Sequence, residues 1–152
     1  MKARYCAALD DYATYHRDPR NKMTHYVGIP MIVLAIIGML QMVTLFSVGS
    51  TVIDLALVVM VLSLLYYLSM DLTAGLAMTA IFVGFYLASA YLTLTVLLSL
   101  FVVGWIFQFI GHYFEGKSPA FFKNAVHLLI GPVWILNDAL RVLHLPAYSP
   151  GK

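Results

Sequence analysis

Charge is what this sequence has least of. Only 11% of its 152 residues are Asp, Glu, Lys or Arg, while 62% are apolar; soluble domains carry about 25% and about 45–50%. With a mean hydropathy of +0.88, the chain has too few charges to cover the surface of a water-soluble globule. Lipid must replace water over much of it. Cysteine is nearly absent too. Cys6 stands alone, which excludes an intramolecular disulfide, says little about redox compartment, and reads most simply as an inert residue of a first helix. The net charge of +2 is too small to point to nucleic acid. No internal repeat, low-complexity tract or long linker interrupts the chain, and its length suits one membrane-embedded domain over residues 1–152. A cleavable signal peptide is not expected. The first 26 residues are polar and aromatic, and the apolar run that begins at Val27 reads as a true span.

What is there is a series of long apolar runs. Crossing the hydrocarbon core takes roughly 20 mostly apolar helical residues. Val27–Val48 meets that length without a charge, and Val52–Met70 follows with Asp54 near one end. Leu72 to Gly111 runs 40 residues without a charge, about two crossings, and predicts two antiparallel helices turning around Ser89–Thr95. Phe121–Leu143 is apolar but holds His127, Pro132, Asn137, Asp138 and Arg141, which predicts a helix that is interfacial, re-entrant or tucked against the bundle. Ahead of the spans, Tyr5, Leu9, Tyr12 and His16 recur at helical spacing and mark residues 4–16 as an amphipathic helix, with Tyr5, Leu9 and Tyr12 expected to pack on the membrane surface. The fold class is therefore all-α, a bundle of four transmembrane helices with an N-terminal amphipathic and a C-terminal interfacial or re-entrant helix.

Positive charges set the orientation. Lys2, Arg4, Arg17, Arg20 and Lys22 precede the first span, Lys117 and Lys123 follow the fourth, and the loop at Gly49–Thr51 has none. Both basic segments belong on the cytoplasmic side, and four crossings return the chain there. The membrane is the inner one in a bacterium or the endoplasmic reticulum in a eukaryote. Tyr66, Tyr67 and Trp105 read as interfacial anchors.

Two polar clusters remain. In the first, His16 and His25 are nine residues apart, which on one continuous helix places them on opposite faces. Pro19 breaks that continuity and predicts a helix–turn–helix with His16 closing one helix and His25 opening the next, so that both imidazoles reach one site. Asn21 is placed to cap a helix or orient a neighbour. In the second, Gln108, His112 and Glu115 share one helical face. Gly116 ends the helix, and Ser118-Pro119 starts another that carries His127 about two turns inside, near membrane depth. A lone interfacial histidine ordinarily bonds a carbonyl or a headgroup. Several on one membrane face, with a carboxylate at helical spacing, point to a shared metal site. Imidazole suits zinc, iron, copper and nickel, histidines with a carboxylate also fit a non-haem Fe(II) oxygenase, and zinc with an open position implies hydrolysis. The donors leave the metal open. His144 reads as solvent-facing or structural.

The stretches His16–Pro30 (HRDPRNKMTHYVGIP) and Trp105–Ala120 (WIFQFIGHYFEGKSPA) together resemble a small multispan membrane family once labelled only as a domain of unknown function, whose fungal member is a 2-hydroxy fatty acid dioxygenase of the endoplasmic reticulum. The resemblance extends over nearly the whole chain, including Gly131-Pro132. It implies an Fe(II)-dependent enzyme of α-oxidation. A 2-hydroxy fatty acid reacts with O2, loses its carboxyl carbon and leaves the fatty acid one carbon shorter. The family's suspected iron ligands match His16, His25 and His112. Glu115 matches its acidic position, as ligand or base, with Asn21 beside it; His127 has a suitable location but departs from the family pattern. Such a substrate lies in the bilayer with its head at the cytoplasmic face, its tail in an apolar groove lined by Met and Phe. Arg17, Arg20 or Lys22 then attracts the carboxylate, unless these are merely solvated surface charges. Two other readings stand beside this one: a zinc-dependent membrane lipid hydrolase on the same histidines, and a non-catalytic lipid-binding or scaffold protein. Di-iron desaturases fit poorly, because their histidine boxes need more than the five histidines present.

Overall fold

The structure is a computed structural model that describes residues 2–119, 122, 125–145 and 147–148; Ala120, Phe121 and Lys123 of the sequence reading lie outside them. Six α-helices and one β-hairpin occur among the described residues, in the order α1 (Lys2–Ala13), α2 (Pro19–Gln41), β1 (Thr44–Val48), β2 (Thr51–Asp54), α3 (Leu55–Met70), α4 (Leu72–Ser89), α5 (Leu94–Glu115) and α6 (His127–Val142). Helices α2, α4 and α5, of 23, 18 and 22 residues, are long and apolar enough to cross a membrane. At 1.5 Å per residue α3, with 16 residues, extends about 24 Å. Leu62, Leu65, Leu76, Leu87, Val102 and Phe109 are exposed on these helices, far more apolar surface than water tolerates on a soluble protein.

The chain divides into two compact units, one of Met1–Pro30 with Gly104–Lys152 and one of Met31–Val103. In the first, α1 packs on α6. The face foreseen for α1 is buried inside the protein instead of being laid on the membrane surface, with Tyr5 6%, Leu9 0% and Tyr12 5% exposed. The stripe of α6 that is buried follows the same helical period, His127, Ile130, Gly131, Trp134 and Asn137, so α6 is tucked against α1. Its carboxyl-terminal side is tied down by Asn137, whose Oδ1 accepts from the Tyr148 N–H at 2.8 Å while its Nδ2 donates to the Tyr148 carbonyl at 2.9 Å. Beyond α6 the chain turns at His144, exposed and in the left-handed region at φ 56°, a structural turn as expected. Two boundaries differ from expectation. Helix α1 ends at Ala13, leaving His16 in the turn that follows, and His127 opens α6 rather than lying two turns inside it.

The second unit corrects the span boundaries. The first apolar run stops being helical at Gln41, and Thr44–Val48 pairs antiparallel with Thr51–Asp54 around a turn at Gly49-Ser50. Val27–Val48 and Val52–Met70 are thus not continuous helices. Thr44, Phe46, Val48, Thr51, Val52 and Ile53 are β-branched or aromatic, and Gly49 at φ 61° supplies the left-handed residue a tight hairpin needs. Hydropathy alone does not separate such residues from a span. Asp54 closes the hairpin and caps α3, accepting from the Leu57 N–H at 2.9 Å and the Tyr86 hydroxyl at 2.6 Å. Asp71 breaks α3 from α4 and caps the latter through the Thr73 and Ala74 N–H groups. The break between α4 and α5 falls at residues 90–93, where it was expected.

Candidate metal centre

His16, His25 and His112 converge. One ligating atom from each lies within 4.8 Å of the other two, and the rings stand 4.4, 5.1 and 4.9 Å apart, centroid to centroid, in steep edge-on arrangements. All three are buried, His16 and His25 at 1% exposure and His112 at 6%. Each comes from a different segment: His16 from the α1–α2 turn, His25 from the second turn of α2, and His112 from the last turns of α5. The expectation that His25 opens its helix is corrected, because Pro19 takes that position and Asp18 caps it, with its Oδ1 accepting from the Arg20 N–H at 2.8 Å. Pro at the first helical position after an Asp cap is a favoured start.

Backbone carbonyls fix the imidazoles. His16 Nδ1 donates to the Tyr12 carbonyl at 2.8 Å and His25 Nδ1 to the Asn21 carbonyl at 2.9 Å. A nitrogen facing a carbonyl must carry the proton, which leaves Nε2 of both rings as the lone-pair atom. The Lys117 backbone engages the His112 ring as well, through the nitrogen other than Nδ1. His16 Nε2 and His112 Nδ1 are buried with no hydrogen-bond partner. Desolvated lone pairs without a partner are costly, and two of them, within a group of three imidazoles whose ligating atoms lie within 4.8 Å of one another, fit a cation. Burial also pushes His16 down to about 4, so its imidazole is neutral, the ligating form, at physiological pH.

Glu115 and Asn21 build the cradle. Both carboxylate oxygens of Glu115 accept from the Arg17 N–H, at 2.9 and 3.0 Å, and Oε2 accepts also from the Asp18 N–H at 2.9 Å and Asn21 Nδ2 at 3.0 Å. Asn21 Nδ2 donates further to the Tyr15 carbonyl at 3.1 Å, so this wholly buried side chain clamps the turn carrying His16 to the end of α5. The i, i+3 spacing thus points His112 and Glu115 to one side but to different tasks. Gly111 permits the approach of α2 to α5. A Cβ there meets Thr24 Oγ1 and Asn21 Oδ1 at impossible range and His25 Nδ1 at 3.1 Å.

His127 is not part of the three-histidine group. Its Nε2 lies 2.8 Å from Asp11 Oδ2, while Tyr12 is stacked on His16 at 4.1 Å and meets His127 edge-on at 5.9 Å. Gln108, expected on the His112 face, is buried there. Three features were not foreseen: the Asp18 cap, the Tyr12 ring against His16, and Trp134, 5.3 Å from His16 and fully buried. The i, i+4 spacing of Tyr12 and His16 carried the second; nothing in the sequence carried the third.

Fold and site together define a helical protein with membrane-length apolar helices and a buried cluster of three histidines suited to a metal ion. The family model described as 2-hydroxy-palmitic acid dioxygenase Mpo1-like matches residues 3–142, and the chain belongs to that family. It is 32% identical over 134 residues to the 2-hydroxy-palmitic acid dioxygenase MPO1 of Saccharomyces cerevisiae, an alignment covering 87% of this chain and 77% of the yeast protein. No solved structure matches it.

Proposed function

We propose that this chain, acting as one membrane-embedded domain, is an Fe(II)-dependent dioxygenase that shortens 2-hydroxy fatty acids by one carbon. The observation that carries the reading is the cluster of His16, His25 and His112, found in a chain related to an enzyme named for 2-hydroxy-palmitic acid. Three imidazoles would hold an iron ion there. Iron held there supplies the redox chemistry that couples O2 to cleavage of the C1–C2 bond. The protein's own part is positional. His16, His25 and His112 are its ligands, Asn21 and Glu115 are positioning residues for them, and His127, paired to Asp11, serves the site from outside the three-histidine group. The choice of iron over zinc rests on the relative's activity, since imidazoles alone serve both metals.

The site belongs at the cytoplasmic face, beside Arg17, Arg20, Lys22 and Lys117. Glu115 bonding the Arg17 and Asp18 N–H groups, and Lys117 Nζ donating to the Thr14 carbonyl at 3.0 Å, hold the start of α2 beside the end of α5. That neighbourhood supports an even number of crossings between them, hence α3 as a fourth span despite its length. The deciding experiment is oxygen uptake by anaerobically purified, iron-reconstituted protein on addition of 2-hydroxypalmitate, with mass spectrometry of the product. Uptake with formation of the C15 acid supports the reading. Stoichiometric zinc with no oxygen uptake overturns it in favour of a hydrolase, and absence of any stoichiometric metal in favour of a lipid-binding protein.

A further inference from the structure

A cavity of about 290 Å³ opens beside the histidine cluster, lined by His16, Arg17, Lys22, Trp134, Asp138 and Arg141, with Ala13. Three cations and one carboxylate face it, and their commitments differ. Asp138 accepts from the Tyr26 hydroxyl at 2.7 Å and pairs with Arg141 at 3.3 Å, so those two charges largely offset each other. Arg20, the third basic residue of this segment, is held by Asp18 at 2.8 Å and lies over the Phe114 ring at 4.5 Å; it is not part of the lining. Arg17 and Lys22 remain. Neither side chain has an ion pair among the described residues, and Lys22 Nζ sits 6.0 Å from the Trp134 ring centre. The cavity therefore holds about two uncompensated positive charges next to a candidate ligand histidine.

We propose that Arg17 and Lys22 form the carboxylate-recognition site for a long-chain fatty acid, with Trp134 as its apolar wall. The inference rests on the fatty-acid reading above and assigns, among the basic residues at this face, the pair that binds substrate. The cavity is at the small end of ligand pockets, which run from about 300 Å³ upward; it suits a polar head of a few heavy atoms, and the tail lies outside it. A guanidinium offers a planar fork to a carboxylate and an ammonium offers a point charge. Uncharged analogues of the same tail gain nothing from either cation.

The test uses full-length protein in neutral lipid nanodiscs. Replacing Trp105 by Phe leaves Trp134 as the sole tryptophan and makes its fluorescence report on the cavity wall. Palmitate should shift that emission with saturable binding, and Arg17→Gln with Lys22→Gln should weaken palmitate binding at least tenfold while leaving hexadecanol binding and metal content unchanged. Arg17→Lys should restore part of the loss. Arg4→Gln, an exposed change on α1, should leave palmitate binding at its original strength. Equal weakening for palmitate and hexadecanol, or no weakening for either, overturns the proposal. A saturable response to inorganic phosphate or phosphatidic acid stronger than to palmitate also overturns it, and assigns the cavity to a phosphate headgroup. Because binding is read without turnover, a protein that binds palmitate through Arg17 and Lys22 but consumes no oxygen refutes the dioxygenase reading and leaves this one standing.

Discussion

Replacing Glu115 by glutamine removes the charge to which the Arg17 and Asp18 N–H groups and Asn21 donate and sets an NH2 group against those donors. Hydrogen bonds to a charged acceptor are the stronger kind, and loss of groups that orient metal ligands costs about 10- to 100-fold in metal affinity. Glu115→Gln should weaken metal binding by that factor, measured by competition with a chelator, while helix content is kept; undiminished affinity removes Glu115 from the support of the site. His16 makes the apoprotein sensitive to acid. Burial, its largest influence, lowers it from 6.5 to about 4 against the opposing pull of the Tyr12 carbonyl. Unfolded, the imidazole takes up a proton near 6.5; folded, it resists until about 4. Between those values the unfolded chain binds more protons, so stability falls as pH falls, with no contribution from this group above the upper value. Metal-free protein in detergent should lose up to about 3 kcal/mol across that window, and His16→Gln should flatten the slope seen in thermal unfolding. The convergence of His16, His25 and His112 was legible, because Pro19 forces a turn between His16 and His25 and an i, i+3 pair shares a helical face; that His127 stands apart was not. Neither were the supports of the three rings. Carbonyls of Tyr12 and Asn21 hold two of the rings, and any residue offers a carbonyl.

Among the elements, the long helices and the turn after Ser89 were read from apolar length, and the break between α3 and α4 from a polar residue, Asp71, which caps α4. The hairpin escaped that logic. Its residues are as apolar as a span, and only the β-branched composition around Gly49-Ser50 argues for strands, a signal that a hydropathy window averages away. The register also shifts between Thr44 and Phe46, so clean alternation is lost. Helix α6 shows the converse case: too polar for a span, it has the period of a helix with one buried face, and α1 supplies the surface that buries it. The topology can be tested at two exposed positions. With Cys6 replaced by Ala, cysteines introduced at Arg20 and Lys117 should react with a membrane-impermeant maleimide from the same side. Labelling from opposite sides refutes the four-crossing arrangement and requires an odd number of spans between α2 and α5.

At the scale of the whole molecule, the three histidines come from segments far apart in sequence but all within one of the two compact units. A metal bound by residues 16, 25 and 112 clips the α1–α2 turn, the start of α2 and the end of α5 together, and its binding free energy is free energy of that unit's folded state. At a free metal concentration one hundred times the dissociation constant, the gain is about 2.7 kcal/mol. The unit of Met31–Val103 holds none of the three histidines; its ties are the Asp54 and Asp71 caps, the Tyr86–Asp54 bond and the Ser89–Gln41 bond, and none of these involves the histidine cluster. Local opening follows the free energy of the unit that opens. Stripping the metal with a chelator should therefore speed amide hydrogen exchange in residues 14–26 and 108–117 by roughly tenfold or more, in line with that gain, and leave α3 and α4 unchanged. Uniform acceleration throughout both units means that the ion stabilises the fold globally rather than through these three ligands. Unchanged exchange at all positions means that no ion is bound there.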